Sequence, residues 1–84
     1  MIAYNLKDIE SAKELVDLCE KYSKYFLFDV RQKHYVVDGK SLLGVMSMIG
    51  NVVEVIPVMP NTIDEITKQK HFQFIQDIQK LGRN

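Results

Sequence analysis

The chain has 84 residues, enough for one domain with a single core and too few for an active site enclosed between two domains. Its 11 Lys and Arg residues balance its 11 Asp and Glu residues, and this zero formal net charge argues against nucleic acid or an anionic membrane as the main partner. The 46% apolar residues exclude a disordered chain, and no apolar run is long enough for a membrane span or a signal peptide, so we expect one cytoplasmic domain over residues 1–84.

The first two predicted elements are a strand over residues 2–6 and a long helix over residues 8–24. Either Asp8 or Ser11 is suited to cap this helix, and Ser11 with Glu14 matches a capping box. Apolar side chains recur at helical spacing. They are Ile9, Ala12, Leu15, Val16, Cys19 and Tyr22. Because the lone cysteine lies on this stripe, we expect its thiol to pack in the core rather than to react.

A hairpin and a short helix follow. Residues 25–31 and 34–38 are aromatic and β-branched and are separated by a polar pair, which is typical of a hairpin. The segment SLLGVMSM, residues 41–48, is too short for a long helix. We predict a short helix that is capped by Ser41 and stopped at Gly50.

The chain closes with a predicted strand over residues 52–59 and a second long helix, which begins with a capping box over residues 62–65. Apolar side chains follow one face of this helix before Gly82. They are Ile63, Ile66, Phe74, Ile75, Ile78 and Leu81. The order βαββαβα lets both long helices cover one face of a four-stranded antiparallel sheet, so we predict an α+β fold of the open-faced β-sandwich type.

The order of elements, the length and above all the segment GKSLLGVMS resemble HPr, the histidine-containing phosphocarrier of the bacterial sugar phosphotransferase system, and its HPr-like relatives. The resemblance covers nearly the whole chain, and its specificity lies in residues 40–47. It implies that the Lys-Ser step opens a short helix and that a dedicated kinase can phosphorylate the serine, here Ser41. It also implies a surface that docks onto partner proteins. The corresponding residues are Lys40, Leu42, Leu43 and Met46.

The chain departs from the HPr pattern at the start of the first long helix. In HPr a histidine there carries the phosphoryl group, with an arginine and a proline nearby, whereas the segment KDIESAKEL contains none of the three. Alignment from the Lys-Ser step places Glu10 at the histidine position, and a one-residue shift places Ser11 there. A phosphoramidate needs an imidazole nitrogen, so we expect no phosphohistidine at this helix start. We expect His34 and His71 to be structural or surface residues.

The resemblance also implies that the fourth strand is interior to the sheet. Proline there removes a ladder donor, so we expect the strand to end early at Pro57 or to bulge. The acids Asp8, Glu10 and Glu14 are of the kind that a helix N-terminus favours, and we predict no metal site and no cofactor.

The short helix can use its apolar residues in two ways. Met46 and Met48, with Leu42 and Leu43, either pack in the core or form a partly exposed patch that binds a partner, since so short a helix cannot bury every face. Ser41 likewise is an N-cap, a phosphate acceptor or both.

The sequence therefore predicts an HPr-like regulatory or adapter protein of the phosphotransferase system, and not an enzyme. It would bind a protein partner through the short helix and be controlled by phosphorylation of Ser41. One alternative is a phosphotransfer protein that uses Ser11 or a remote histidine. Another is a small-molecule sensor of the ACT-like kind, which would usually be a dimer with ligand between the chains. The sequence leaves the oligomeric state open.

Overall fold

Four strands and three helices make up the fold of residues 2–82, the part of the chain that the computed structural model describes. The order is β1 (Ile2–Leu6), α1 (Ile9–Lys21), β2 (Leu27–Gln32), β3 (Tyr35–Asp38), α2 (Leu42–Met46), β4 (Asn51–Val58) and α3 (Glu65–Gly82). The predicted α+β fold with the order βαββαβα is confirmed. Most element ends differ by one to a few residues from the prediction, and His34 lies in the turn between β2 and β3 rather than in a strand.

The strands form one antiparallel sheet in the order β1-β4-β2-β3, so β4 is interior. Alternate residues of each strand point to opposite faces. One face is buried against the helices. It contributes Tyr4, Leu6, Phe28, Val30, Val53 and Val55 to the core. The sheet therefore has a covered face and an open face, as an open-faced sandwich requires.

Pro57 lies within β4, which continues to Val58, and the register with β2 runs through the Phe28–Pro57 pair without a bulge. The prediction of an early end or a bulge at this residue is therefore wrong. The carbonyl of Phe28 accepts a hydrogen bond from the Gly39 amide on the β3 side, so the alternation of an antiparallel ladder points the Pro57 nitrogen toward the β1 side. The described β1–β4 pairing ends two residues earlier, at Val55, so no ladder donor is lost.

Aromatic rings from β2, from α3 and from Tyr22, the residue that follows α1, meet at the centre of the core. The Phe74 ring lies 4.7 Å from that of Phe28 and 5.5 Å from that of Tyr22, the latter in an edge-to-face arrangement. The Tyr22 hydroxyl donates a hydrogen bond of 2.6 Å to the Asp77 carboxylate, which joins α1 to α3 near the surface. Phe74 thus holds α3 against both the sheet and α1.

Three apolar residues that we predicted on the buried stripes are exposed. Ile9, Ile63 and Ile66 are 50%, 43% and 58% exposed. Ile63 precedes α3, and Ile66 lies about 80° around the helix from Phe74 at 3.6 residues per turn. Thr67 takes the buried position of the first turn instead. Ile9 is likewise about 120° from Leu15, which points it away from the sheet.

Both long helices begin on an aspartate. Asp8 is the N-cap of α1 and forms its capping box with Ser11, so the predicted Ser11–Glu14 box is wrong. The Asp64 carboxylate accepts a hydrogen bond of 2.8 Å from the Thr67 amide at the start of α3. Gly82, predicted to follow the last helix, is its final described residue. Among residues 2–82, no helix is long and apolar enough to cross a membrane.

Candidate functional site

The short helix α2 begins on a set of local hydrogen bonds. The Ser41 hydroxyl accepts one of 3.2 Å from the Gly44 amide, which confirms Ser41 as the N-cap. The amide of Lys40 donates to Asp38 Oδ1 over 2.8 Å, and the amide of Ser41 donates to the Asp38 carbonyl over 3.0 Å. The last residue of β3 therefore determines where α2 starts, and Ser41 supplies the acceptor that its first turn needs.

The inner side of α2 is anchored in the core. Val45 is fully buried, and Met48, just after the helix, is 1% exposed. A Cβ atom at Gly44 would lie 3.1 Å from the Cβ of Val37, so the backbone of α2 packs closely on β3. The helix ends at Met46, and the predicted stop, Gly50, lies four residues later in the following turn, where its positive φ of 97° suits glycine.

The outer side of α2 is apolar and reaches solvent. Leu43 is 81% exposed and Leu42 is 36% exposed, while Met46 is half-buried. Together with exposed Lys40 these residues form what we call the α2 patch. Of the two methionines, only Met48 is fully in the core. The role of this patch in partner binding remains a prediction.

The start of α1, where HPr carries its histidine, is built as a cap. The Ser11 hydroxyl donates to the Asp8 carbonyl over 2.8 Å and accepts from the amides of Lys7 and Asp8 over 3.0 and 3.1 Å. Since a serine hydroxyl has one donor and two acceptor sites, all of its hydrogen-bonding capacity is used. Ser11 is also only 7% exposed, whereas Glu10 points to solvent.

A depression beside this helix start is lined by three acidic side chains and one lysine, Lys7. Asp8, Glu10 and Glu14 line it together with Tyr4. Burial raises the pKa of Tyr4 to about 12, and the charges of Glu14 and Asp8 add to this shift. The hydrogen bond from the Ser11 amide lowers the pKa of Asp8. The phenol is thus neutral at physiological pH beside ionised Asp8, and the acidic side chains outnumber Lys7 in this depression.

Neither histidine lines that depression. His34 is exposed in the turn after Lys33, whose φ of 55° is left-handed. His71 is half-buried on α3, with its ring edge-to-face against that of Phe26 at 6.0 Å. His34 is thus a surface residue and His71 packs against the core.

Cys19 lies in the core as predicted, with no solvent exposure. Burial and then the charge of Asp38 raise the pKa of its thiol to about 12. A thiol that stays protonated and shielded is a poor nucleophile, so Cys19 serves packing.

Sequence reasoning missed the role of Asp38. Its side chain and carbonyl receive the two amides that precede α2. The signal was present in the dipeptide Asp38-Gly39 after a β-branched run, because aspartate binds backbone amides two residues on in a turn.

Metal binding requires a group of ligating side chains. Among the side chains of residues 2–82, no three or more of His, Cys, Asp or Glu are grouped so as to hold a metal ion. Comparisons of the chain with protein-family models, with curated proteins and with solved structures found no significant match.

Proposed function

We propose that the chain is a non-catalytic, HPr-like adapter that works in the cytoplasm and binds a protein partner through the α2 patch. The observation that carries this proposal is the 81% exposure of Leu43 on a helix whose other side is anchored by buried Val45. Covering a large apolar side chain with a partner is favourable, and the anchored backbone of α2 needs little further ordering on binding. Adapter function needs no reacting group, which agrees with the acidic helix start described above.

The partner class follows from the resemblance of GKSLLGVMS to HPr: a protein of the sugar phosphotransferase system or of its regulation. The α2 patch is apolar with one cation, Lys40, at its edge. A complementary surface would offer an apolar pocket for Leu43 with a carboxylate near its rim. Phosphorylation of Ser41 would reverse the local charge beside that rim and thereby regulate binding.

The adapter role is tested by substitution of Leu43 with glutamate. We expect Leu43→Glu to lower capture of the partner from native lysate at least tenfold, because a charge would enter an apolar contact, while thermal stability stays near that of the wild type. The matched control is Ile66→Glu, since Ile66 is 58% exposed on α3 and outside the α2 patch. Proteins captured equally by Leu43→Glu and Ile66→Glu would show that the α2 patch is not the binding site.

The two roles of Ser41 separate in a pair of variants. Ser41→Ala removes the acceptor for the Gly44 amide, so we expect a loss of about 1 kcal/mol in the free energy of unfolding and an unchanged partner affinity. Ser41→Asp keeps a capping acceptor, so its stability should stay near wild type, while its charge beside Leu42 should weaken partner binding about tenfold. Urea denaturation and titration with the captured partner measure the two quantities. Equal affinity of both variants would leave Ser41 as a cap alone.

A further inference from the structure

The second face of the sheet carries exposed apolar side chains with no layer of helices over it. Leu27 and Val52 are 61% and 63% exposed, and Val36 and Val58 are 48% and 41% exposed. These four residues, with half-buried Ile56, line what we call the open face, and the charged residues on it are Asp29, Arg31, Asp38 and Glu54. An apolar surface of this kind is typical of an interaction site.

The register of the two central strands arranges the open face in matched rows. Arg31 of β2 lies opposite Glu54 of β4, and Leu27 lies opposite Val58 four residues away along the strands. Within residues 2–82 neither Arg31 nor Glu54 takes part in an ion pair. One row therefore presents a cation and an anion side by side, at equal distances from the line that separates β2 from β4.

This arrangement is complementary to itself. A two-fold axis that runs parallel to the strands, midway between β2 and β4, lays β2 of one copy on β4 of the other. Arg31 then faces Glu54 of the partner subunit, and the reciprocal pair forms by symmetry. The same operation brings Leu27 onto Val58 of the partner subunit. Packed sheets cross at about 30°, which inclines this axis by about 15° to the strands and displaces residues near the middle of the interface the least.

We propose that the open face is the interface of a symmetric dimer of this chain, joined face to face with two reciprocal Arg31–Glu54 ion pairs. The inference goes beyond the adapter function, because α2 packs on α1 and its Val45 lies in the core on the other side of the sheet. The dimer leaves the α2 patch free, so the tests of the two proposals are independent.

The size of the open face makes this dimer a weak one. Strands of 5, 6, 4 and 8 residues, spaced about 4.8 Å apart and rising about 3.4 Å per residue, give a projected area of about 380 Å² per copy. The two copies together then cover about 750 Å² in projection, which is below the standard range for a stable interface. Asp29, which lies opposite Ile56, would face Ile56 of the partner subunit and must keep water at its carboxylate. We expect a dissociation constant of roughly tens to hundreds of micromolar for this dimer.

Charge reversal combined with mixing tests this geometry. In sedimentation equilibrium at low ionic strength, the wild type should pass from monomer to dimer between about 1 μM and 1 mM, around the expected dissociation range. Arg31→Glu and Glu54→Arg should each weaken self-association at least tenfold. Each substitution turns both reciprocal ion pairs of the dimer into pairs of like charges. An equimolar mixture of the two variants should associate as strongly as the wild type, because Glu at 31 then meets Arg at 54 across the interface. Lys13→Glu, an exposed change of equal charge on α1, should leave self-association unchanged.

The mixture also separates the interface from effects within one chain. Within each variant, residues 31 and 54 carry like charges on neighbouring strands, and mixing does not change this. Only a contact between two copies can therefore restore association. A wild type that stays monomeric at 1 mM, or a dimer that neither reversal weakens, would overturn the proposal. So would a dimer that Leu43→Glu abolishes, since association would then use the α2 patch, and so would single variants that gain nothing on mixing.

Discussion

Replacement of Phe74 by alanine is expected to lower the free energy of unfolding by about 3–5 kcal/mol, the largest effect of any single substitution that we predict. Phe74 has no solvent exposure and its ring contacts those of Phe28 and Tyr22. Truncation removes the transfer free energy of a whole ring and leaves a cavity where α3, the sheet and α1 meet. For a domain of this size the loss is a large part of the whole stability, which is about 0.05–0.15 kcal/mol per residue.

The same helix supplies a matched control. Phe72 is 62% exposed, so Phe72→Ala removes the same atoms from a position that is largely in water. Its free energy of unfolding should change by less than about 0.5 kcal/mol. Urea denaturation followed by circular dichroism measures both variants. Equal midpoints for Phe74→Ala and Phe72→Ala would show that α3 is not held to the sheet by the aromatic core.

Gly39→Ala is expected to cost about 1–3 kcal/mol by overpacking. A Cβ atom at this residue would lie 2.8 Å from Cys19 Sγ and 2.8 Å from the Cβ of Phe28. Both neighbours are fully or almost fully buried and cannot turn toward solvent. The Gly39 amide also donates a hydrogen bond of 2.9 Å to the Phe28 carbonyl, so the backbone cannot withdraw without losing that bond. The cost arises from space, because this glycine has no left-handed φ.

Gly82→Ala is the control for this prediction, since a Cβ there would meet nothing within 4 Å. Its stability should stay the same or rise slightly, because alanine is the better helix former. Thermal unfolding should separate the two variants by several degrees for a domain of 60–100 residues. A Gly39→Ala protein as stable as Gly82→Ala would mean that α1 can shift relative to the turn after β3. In the Gly39→Ala protein, the further substitution Cys19→Ala removes one of the two close contacts. We expect it to recover part of the stability lost through Gly39→Ala.

Local patterns explain why so much of the fold was predictable. Along the strands, buried and exposed side chains alternate with period two, and along α1 the apolar residues recur with the helical period. These periods indicate the type of each element and its buried side. Ser41 was predictable as a cap because a serine before a short apolar run has an immediate use for its hydroxyl. At Asp8 and Ser11 local chemistry allowed two caps, and the fold uses both residues in a single box.

The sequence by itself determined the α+β class, the order of the seven elements and the position of α2, because each depends on residues close together in the chain. Only the tertiary structure decided which apolar residues stay in water. Leu43 and Val45 are two residues apart on one helix, yet one is 81% exposed and the other fully buried. Composition cannot distinguish them, because burial depends on where α1 and β3 lie relative to α2. The opposition of Arg31 to Glu54 is likewise a matter of strand register, which only the pairing of β2 with β4 establishes.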